Sequence, residues 1–320
     1  MKVMPRSRSL AAGLFALCLV LGGCSATPHS DRLLAGDMGE LPTRRELVDV
    51  PFHPQQQYQC GPAALATLLQ FSGIDTTPDA LVSRVYVPGR QGSFQVEMLA
   101  ATRHHQRLAH VIGPSLPALL AAVAGGRPVL VLQNLGLDWY PRWHYAVVVG
   151  YDLERRQILL RSGVEARYVM GVKLFERTWK RADYWGMVAL NPGELPVEDD
   201  ARGYFLSAAA FEHNAAPALA DKAWRAGLGR WPDSIELLMG HGNFLHARGD
   251  AEGAAIQFRA VTEREPEYAP AHNNLAEALL DLGRVREARQ AALRAVALGG
   301  EYLPIYRQTL HRADHADMEL

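Results

Sequence analysis

Four pairs of residues in the last third of the chain are separated by the same 34 positions: Pro232 and Pro266, Leu245 and Leu279, Gly249 and Gly283, Ala254 and Ala288. A fixed period of this length means one supersecondary unit used repeatedly, each copy too small to bury its own apolar face and therefore stacked on the next. The composition there is rich in Ala, Leu, Arg and Glu, so the unit is a helix–turn–helix and the region beyond Pro196 is expected to be all-α. Shifting back once more sets Ala220 under Ala254 and Trp224 under Phe258, which predicts a degenerate copy starting near Ala201. A final helix from about Leu303 to Ala313 would cap the stack.

The period matches the length of a tetratricopeptide repeat, which sets residues 201–313 apart as a repeat domain with its capping helix. Before Pro192 the pattern is different. Ala64, Leu65, Leu68 and Leu69 give helical spacing over Gly61–Phe71, and further helices are predicted over 78–85, 93–105 and 116–124. Residues 128–133, 144–151, 157–162 and 186–190 are short apolar, β-branched runs bounded by Gly, Pro or charge, and read as strands. Leu47–Phe52 reads as a short extended segment. A helical front half and an antiparallel sheet behind it make an α+β domain over 46–192.

At the other end, Lys2, Arg6 and Arg8 precede an apolar run from Leu10 to Leu21, the layout of an export signal. It closes on Leu21-Gly22-Gly23-Cys24, which resembles a bacterial lipobox. The resemblance implies removal of the preceding residues, lipid on Cys24, and, with Ser25 following, attachment to the periplasmic side of the outer membrane of a Gram-negative bacterium. Residues 1–24 are thus expected to be a lipoprotein signal peptide and 25–45 a flexible tether.

Of the three cysteines, Cys18 and Cys24 belong to that segment, so Cys60 has no intrachain disulfide partner. Cys60 opens the predicted helix in Gln59-Cys60-Gly61-Pro62, where the macrodipole favours thiolate, and His144 begins a strand downstream. A thiolate held by an imidazolium is the expected arrangement, with Cys60 as nucleophile and His144 as acid and base. The Cys60 backbone N–H is one expected donor to the oxyanion, and a side chain from the run Gln55-Gln56-Gln57, with Gln55 preferred, is the other. No basic tract with interleaved aromatics points to nucleic acid, and no ligand-spaced cluster points to a metal; His104 and His105 are neighbours that face apart on a helix. No cofactor is expected.

Gln-x(n)-Cys-Gly-Pro-Ala-Ala-Leu followed by His-Tyr-Ala-Val-Val-Val-Gly-Tyr-Asp resembles the double-glycine bacteriocin-processing peptidases, over residues 46–192. That resemblance implies a papain-like cysteine peptidase domain, a Cys/His/Asp set, a glutamine in the oxyanion hole, and cleavage after small residues. The family places its glutamine six positions before the cysteine, where this chain has Pro54, and its acid in a stretch that here reads Leu160-Arg161-Ser162-Gly163. Asp152 is a poor replacement, eight residues or roughly 26 Å along a strand from His144. Ser162 is the nearest candidate to orient the imidazole, with Asn134 a second. Trp139, Tyr140 and Trp143, just before the histidine, suit a cleft wall.

The function that follows is a lipid-anchored periplasmic cysteine peptidase whose repeats recruit a protein or peptide substrate, or a protein partner, in their groove. The alternatives are a catalytically inert peptidase-like scaffold at the outer membrane, and a Cys/His acyltransferase or amidase.

Overall fold

The computed structural model describes residues 27–36, 41–54, 59–90 and 92–318. Seven antiparallel strands form one sheet: β1 (Arg44–Glu46), β2 (Leu108–Val111), β3 (Val129–Asn134), β4 (Trp143–Asp152), β5 (Gln157–Ser162), β6 (Glu165–Gly171) and β7 (Gly186–Leu190). Its order is β2-β7-β3-β4-β5-β6. Strand β4 is central: β3 pairs with its first half, Gln133 opposite His144, and β1 takes the same edge further on, Arg45 opposite Tyr151. The long apolar run that marked β4 in the sequence follows from this position, because every residue from Tyr145 to Asp152 is buried.

Gly150 lets β1 approach. A methyl group there would lie 2.6 Å from the Arg45 carbonyl oxygen and 3.0 Å from the Glu46 Cα, both backbone atoms that cannot swing aside. Gly150→Ala is expected to cost about 1–3 kcal/mol, the range for overpacking, read as a lower urea midpoint with an unchanged slope; an unaltered midpoint would show that β1 yields freely.

Helices α1 (Pro28–Leu34), α2 (Cys60–Phe71), α3 (Pro78–Val85), α4 (Gln95–His104), α5 (Leu116–Ala124) and α6 (Val172–Lys180) surround the sheet. The starts of α3 and α5 carry the chemistry expected of them: Thr77 and Ser115 accept from the amides three residues on, and a proline occupies the first turn. Helix α2 has no side-chain cap, and it buries Gly61 through Leu69 on all sides. Among the described residues no helix is long and apolar enough to cross a membrane.

Two expectations are corrected here. Residues 28–34 and 44–45, placed in a flexible tether, are helix and strand: the Glu176 carboxylate of α6 accepts from the His29 and Ser30 amides at 3.0 and 2.6 Å, and β1 joins the sheet. The extended segment expected at 47–52 is a turn and coil, with the strand lying just before it. The expected tether also includes residues 25–26 and 37–40, outside the described residues, as does the whole signal segment with Cys18 and Cys24.

The rest is helical: α7 (Ala201–Glu212), α8 (Pro217–Arg230), α9 (Ile235–His246), α10 (Ala251–Arg264), α11 (Ala269–Asp281), α12 (Val285–Leu298) and α13 (Leu303–Met318). First helices begin at 201, 235, 269 and 303, and second helices at 217, 251 and 285, so the 34-residue period is kept throughout, including the degenerate copy. Helix α7 fixes the stack to the sheet edge. Its Ser207 hydroxyl lies 2.9 Å from Nδ1 of the fully buried His110 on β2, while the Gln106 amide donates to Asn214 and accepts from Ala216.

Candidate active site

Leu132 donates its amide to the Trp185 carbonyl on the β7 side, so it faces away from β4. The Leu132–Tyr145 pair is consequently a non-hydrogen-bonded one, and the Tyr145 amide points to the opposite edge of β4. On that edge the pairing with β5 stops at Val147 opposite Arg161, which leaves the Tyr145 N–H beyond the end of the ladder. The Cys60 thiol faces this edge: the main-chain N–H groups of Tyr145, Gly61 and Cys60 itself all act to favour its thiolate. The start of α2 and the start of β4 therefore meet at the sulfur, with His144 the residue next to the contact.

His144 and Ser162 share a face of the sheet as diagonal neighbours on β4 and β5, and Nε2 of His144 lies 2.8 Å from the Ser162 hydroxyl. Gln133 stands directly across from His144, but its amide donates to the Thr178 hydroxyl at 2.7 Å. Asn134, the other candidate to orient the ring, spends its side chain on its own hairpin, accepting from the Gly136 and Arg142 amides, each at 2.9 Å. Asp152 lies at the far end of β4 and accepts from Arg155 in the turn. Among the described residues no carboxylate bonds the imidazole. Gln55, with Gln56 and Gln57, lies outside the described residues. No cluster of three or more metal-ligating side chains occurs among those described.

The expected ion pair is not what this environment favours. Burial pushes the Cys60 thiol up, against the lowering effect of the three amides, and pushes the His144 imidazolium from 6.5 down to about 4. Burial thus disfavours the charged form of both groups, and among the described residues no carboxylate bonds the imidazole to offset that cost. Alkylation of Cys60 by iodoacetamide is accordingly expected to climb with pH through and beyond the ordinary thiol range, with no fast plateau between about pH 5 and 7. A plateau there that disappears in His144→Ala would restore the ion pair.

Two features were hidden from sequence reading. The Tyr145 amide has no side-chain signature. Arg161 was visible only as a charge in an apolar strand: its guanidinium, buried, donates to the carbonyls of Val48, Val50 and Ala166, tying the segment before Cys60 to β5. Gly61 matters for a similar reason, since a methyl there would overlap the Ser93 side chain, and the Ser93 carbonyl accepts from the Tyr145 hydroxyl.

Comparison with known proteins separates the two halves. Residues 47–186 match the Peptidase C39-like family, and residues 245–308 match the tetratricopeptide repeat. Among solved structures, a C39-like peptidase from Bacillus anthracis is similar at 18% identity, covering 46% of this chain and 98% of that one, with a TM-score of 0.40. The TPR2B domain of yeast Sti1, in a complex with pHsp70, shares 16% identity over 36% of this chain and 96% of its own, TM-score 0.34. The Sgt2 TPR domain from Aspergillus fumigatus shares 17% over 38% and 82%, TM-score 0.34. No curated protein matches the chain. With the papain-like sheet and the 34-residue helical stack both in place, the chain joins a Peptidase C39-like domain to C-terminal tetratricopeptide repeats.

Proposed function

We propose that this chain is a cysteine peptidase, anchored through lipid on Cys24 to the periplasmic side of the outer membrane, that cleaves a peptide bond with Cys60 as nucleophile and His144 as acid and base. The observation that carries the reading is the packing of α2, which Cys60 opens, against β4, whose His144 is hydrogen-bonded to Ser162. With Nε2 engaged by Ser162, Nδ1 is the ring nitrogen left for the thiol. His144 takes the thiol proton as sulfur attacks the carbonyl carbon, then returns it to the amine as the C–N bond breaks; water, deprotonated by the same nitrogen, frees the acyl group. Ser162 fixes the ring without supplying charge, so the base works from the neutral pair. The Cys60 amide and a glutamine from 55–57, Gln55 first, serve the oxyanion. The repeats recruit the protein substrate or a protein partner.

Arg161 favours a second reading. Where the family's acid is expected, this chain has a guanidinium committed to main-chain carbonyls, which suits an inert scaffold that keeps the fold for binding. Incubating a periplasmic extract with the chain or with its Cys60→Ala variant, and comparing new peptide C-termini by mass spectrometry, decides between them. New termini confined to the unaltered chain support the peptidase; proteins held equally and uncut by both support the scaffold.

A further inference from the structure

The chain between β3 and β4 continues past the sheet as a tight two-stranded ribbon. Leu135 donates to the Arg142 carbonyl, and Leu137 and Tyr140 exchange both main-chain hydrogen bonds at 3.1 Å around a turn at Asp138 and Trp139. The ribbon is braced from inside by Asn134 and from outside by Arg181, which donates to the Asn134 and Gly136 carbonyls. Gly136 is required, since a methyl there would meet the Tyr140 carbonyl oxygen. This rigid element displays apolar surface to solvent: Leu135, Leu137 and Tyr140 share one face, and Trp139 at the turn is 81% exposed. Single exposed apolar side chains are ordinary; a braced hairpin that carries five between 135 and 143, counting Trp143, is an interaction element.

Charge and chain path select its occupant. Arg142 lies on the hairpin, and Arg177, Lys180 and Arg181 crowd the end of α6 at its base, against Asp138, which pairs with Arg181 at 3.6 Å. Aromatic side chains with polar edges above a cationic collar fit the interfacial zone of an anionic bilayer. The described chain also begins against this helix: the Glu176 carboxylate of α6 accepts from the His29 and Ser30 amides.

We propose that the tip of the β3–β4 hairpin, with the basic end of α6, docks in the headgroup region of an anionic membrane and so holds the Cys60 and His144 cleft at the bilayer surface. This goes beyond the peptidase reading and needs neither the lipid on Cys24 nor a reactive thiol. The test uses the chain from Ser25 onward, which keeps every described residue, sedimented with vesicles of phosphatidylethanolamine and phosphatidylglycerol at about three to one. Binding is expected, weakened by salt, with tryptophan emission shifted to the blue. It should fall by about tenfold or more in Trp139→Asp and in the Trp139→Ala/Tyr140→Ala pair. Trp139 is so exposed that the single variant keeps the fold, which its unaltered thermal transition verifies. Absence of vesicle binding overturns the proposal, as does binding that neither variant changes. A rise in KM for a cleaved peptide in Trp139→Asp without any vesicle binding overturns it in favour of a substrate wall. Loss of peptide cleavage by itself would touch only the peptidase reading.

Discussion

In Cys60→Ala, turnover of any peptide the unaltered chain cleaves is expected to fall by at least about a thousandfold, and adding His144→Ala should lower it little further. The second clause separates a working pair from two independent contributions. Once the sulfur is gone, His144 has no proton to accept, so its own loss costs nothing more. His144→Ala alone should fall nearly as far, because burial raises the Cys60 thiol and no carboxylate among the described residues acts on it as an alternative base. Ser162→Ala tests a smaller effect, loss of ring orientation without loss of a charge, and is expected to lower kcat with little change in KM. Equal rates for Cys60→Ala and the unaltered chain would end the peptidase reading and leave the scaffold.

Trp224→Ala is expected to destabilise the chain by about 3–5 kcal/mol, the range for deleting a large buried aromatic. Trp224 is 1% exposed, at the junction of the first two repeats, and its indole N–H donates to the Glu212 carboxylate at 2.8 Å. Gly240 on α9 sits directly against the ring, so a methyl there would lie 2.5 Å from it. The cavity left by alanine is hard to close because the helix that carries Trp224 is packed between α7 and α9. Urea unfolding followed by circular dichroism measures the loss. Because α7 is fastened to β2 through Ser207 and His110, the damage should reach the sheet, lowering a single shared transition rather than melting the repeats alone. A separate early transition confined to helix would show that the repeats unfold independently.

The repeats were legible because their register is written in sequence distance: Pro232 and Pro266 mark the turns between helices, and the small buried residues Ala254 and Ala288 the points where one helix must pass close to another. The helices from 60 to 124 and strands β3, β4, β5 and β7 were legible for the related reason that a buried face repeats with the period of its element. Other elements were missed. Strand β6 is mostly exposed and β2 spans four residues; α6 has an apolar face of Val172, Phe175 and Trp179, but over nine residues that also carry Lys173, Glu176, Arg177 and Lys180; β1 and α1 are short and owe their form to Gly150 and Glu176, far along the chain.

At the site, chain order and local chemistry determined the candidates Cys60, His144 and Ser162, and the family they resemble. Tertiary structure alone decided their state. It packed the helix that Cys60 opens against β4, gave Ser162 rather than Asn134 to the imidazole, and put Arg161 to fastening the segment before Cys60. It also buried both groups, which favours the neutral pair over the expected ion pair. The physical reason is that a residue's type travels with the sequence, whereas hydration and hydrogen-bond partners come from residues brought alongside by the fold, and these set which proton each group keeps.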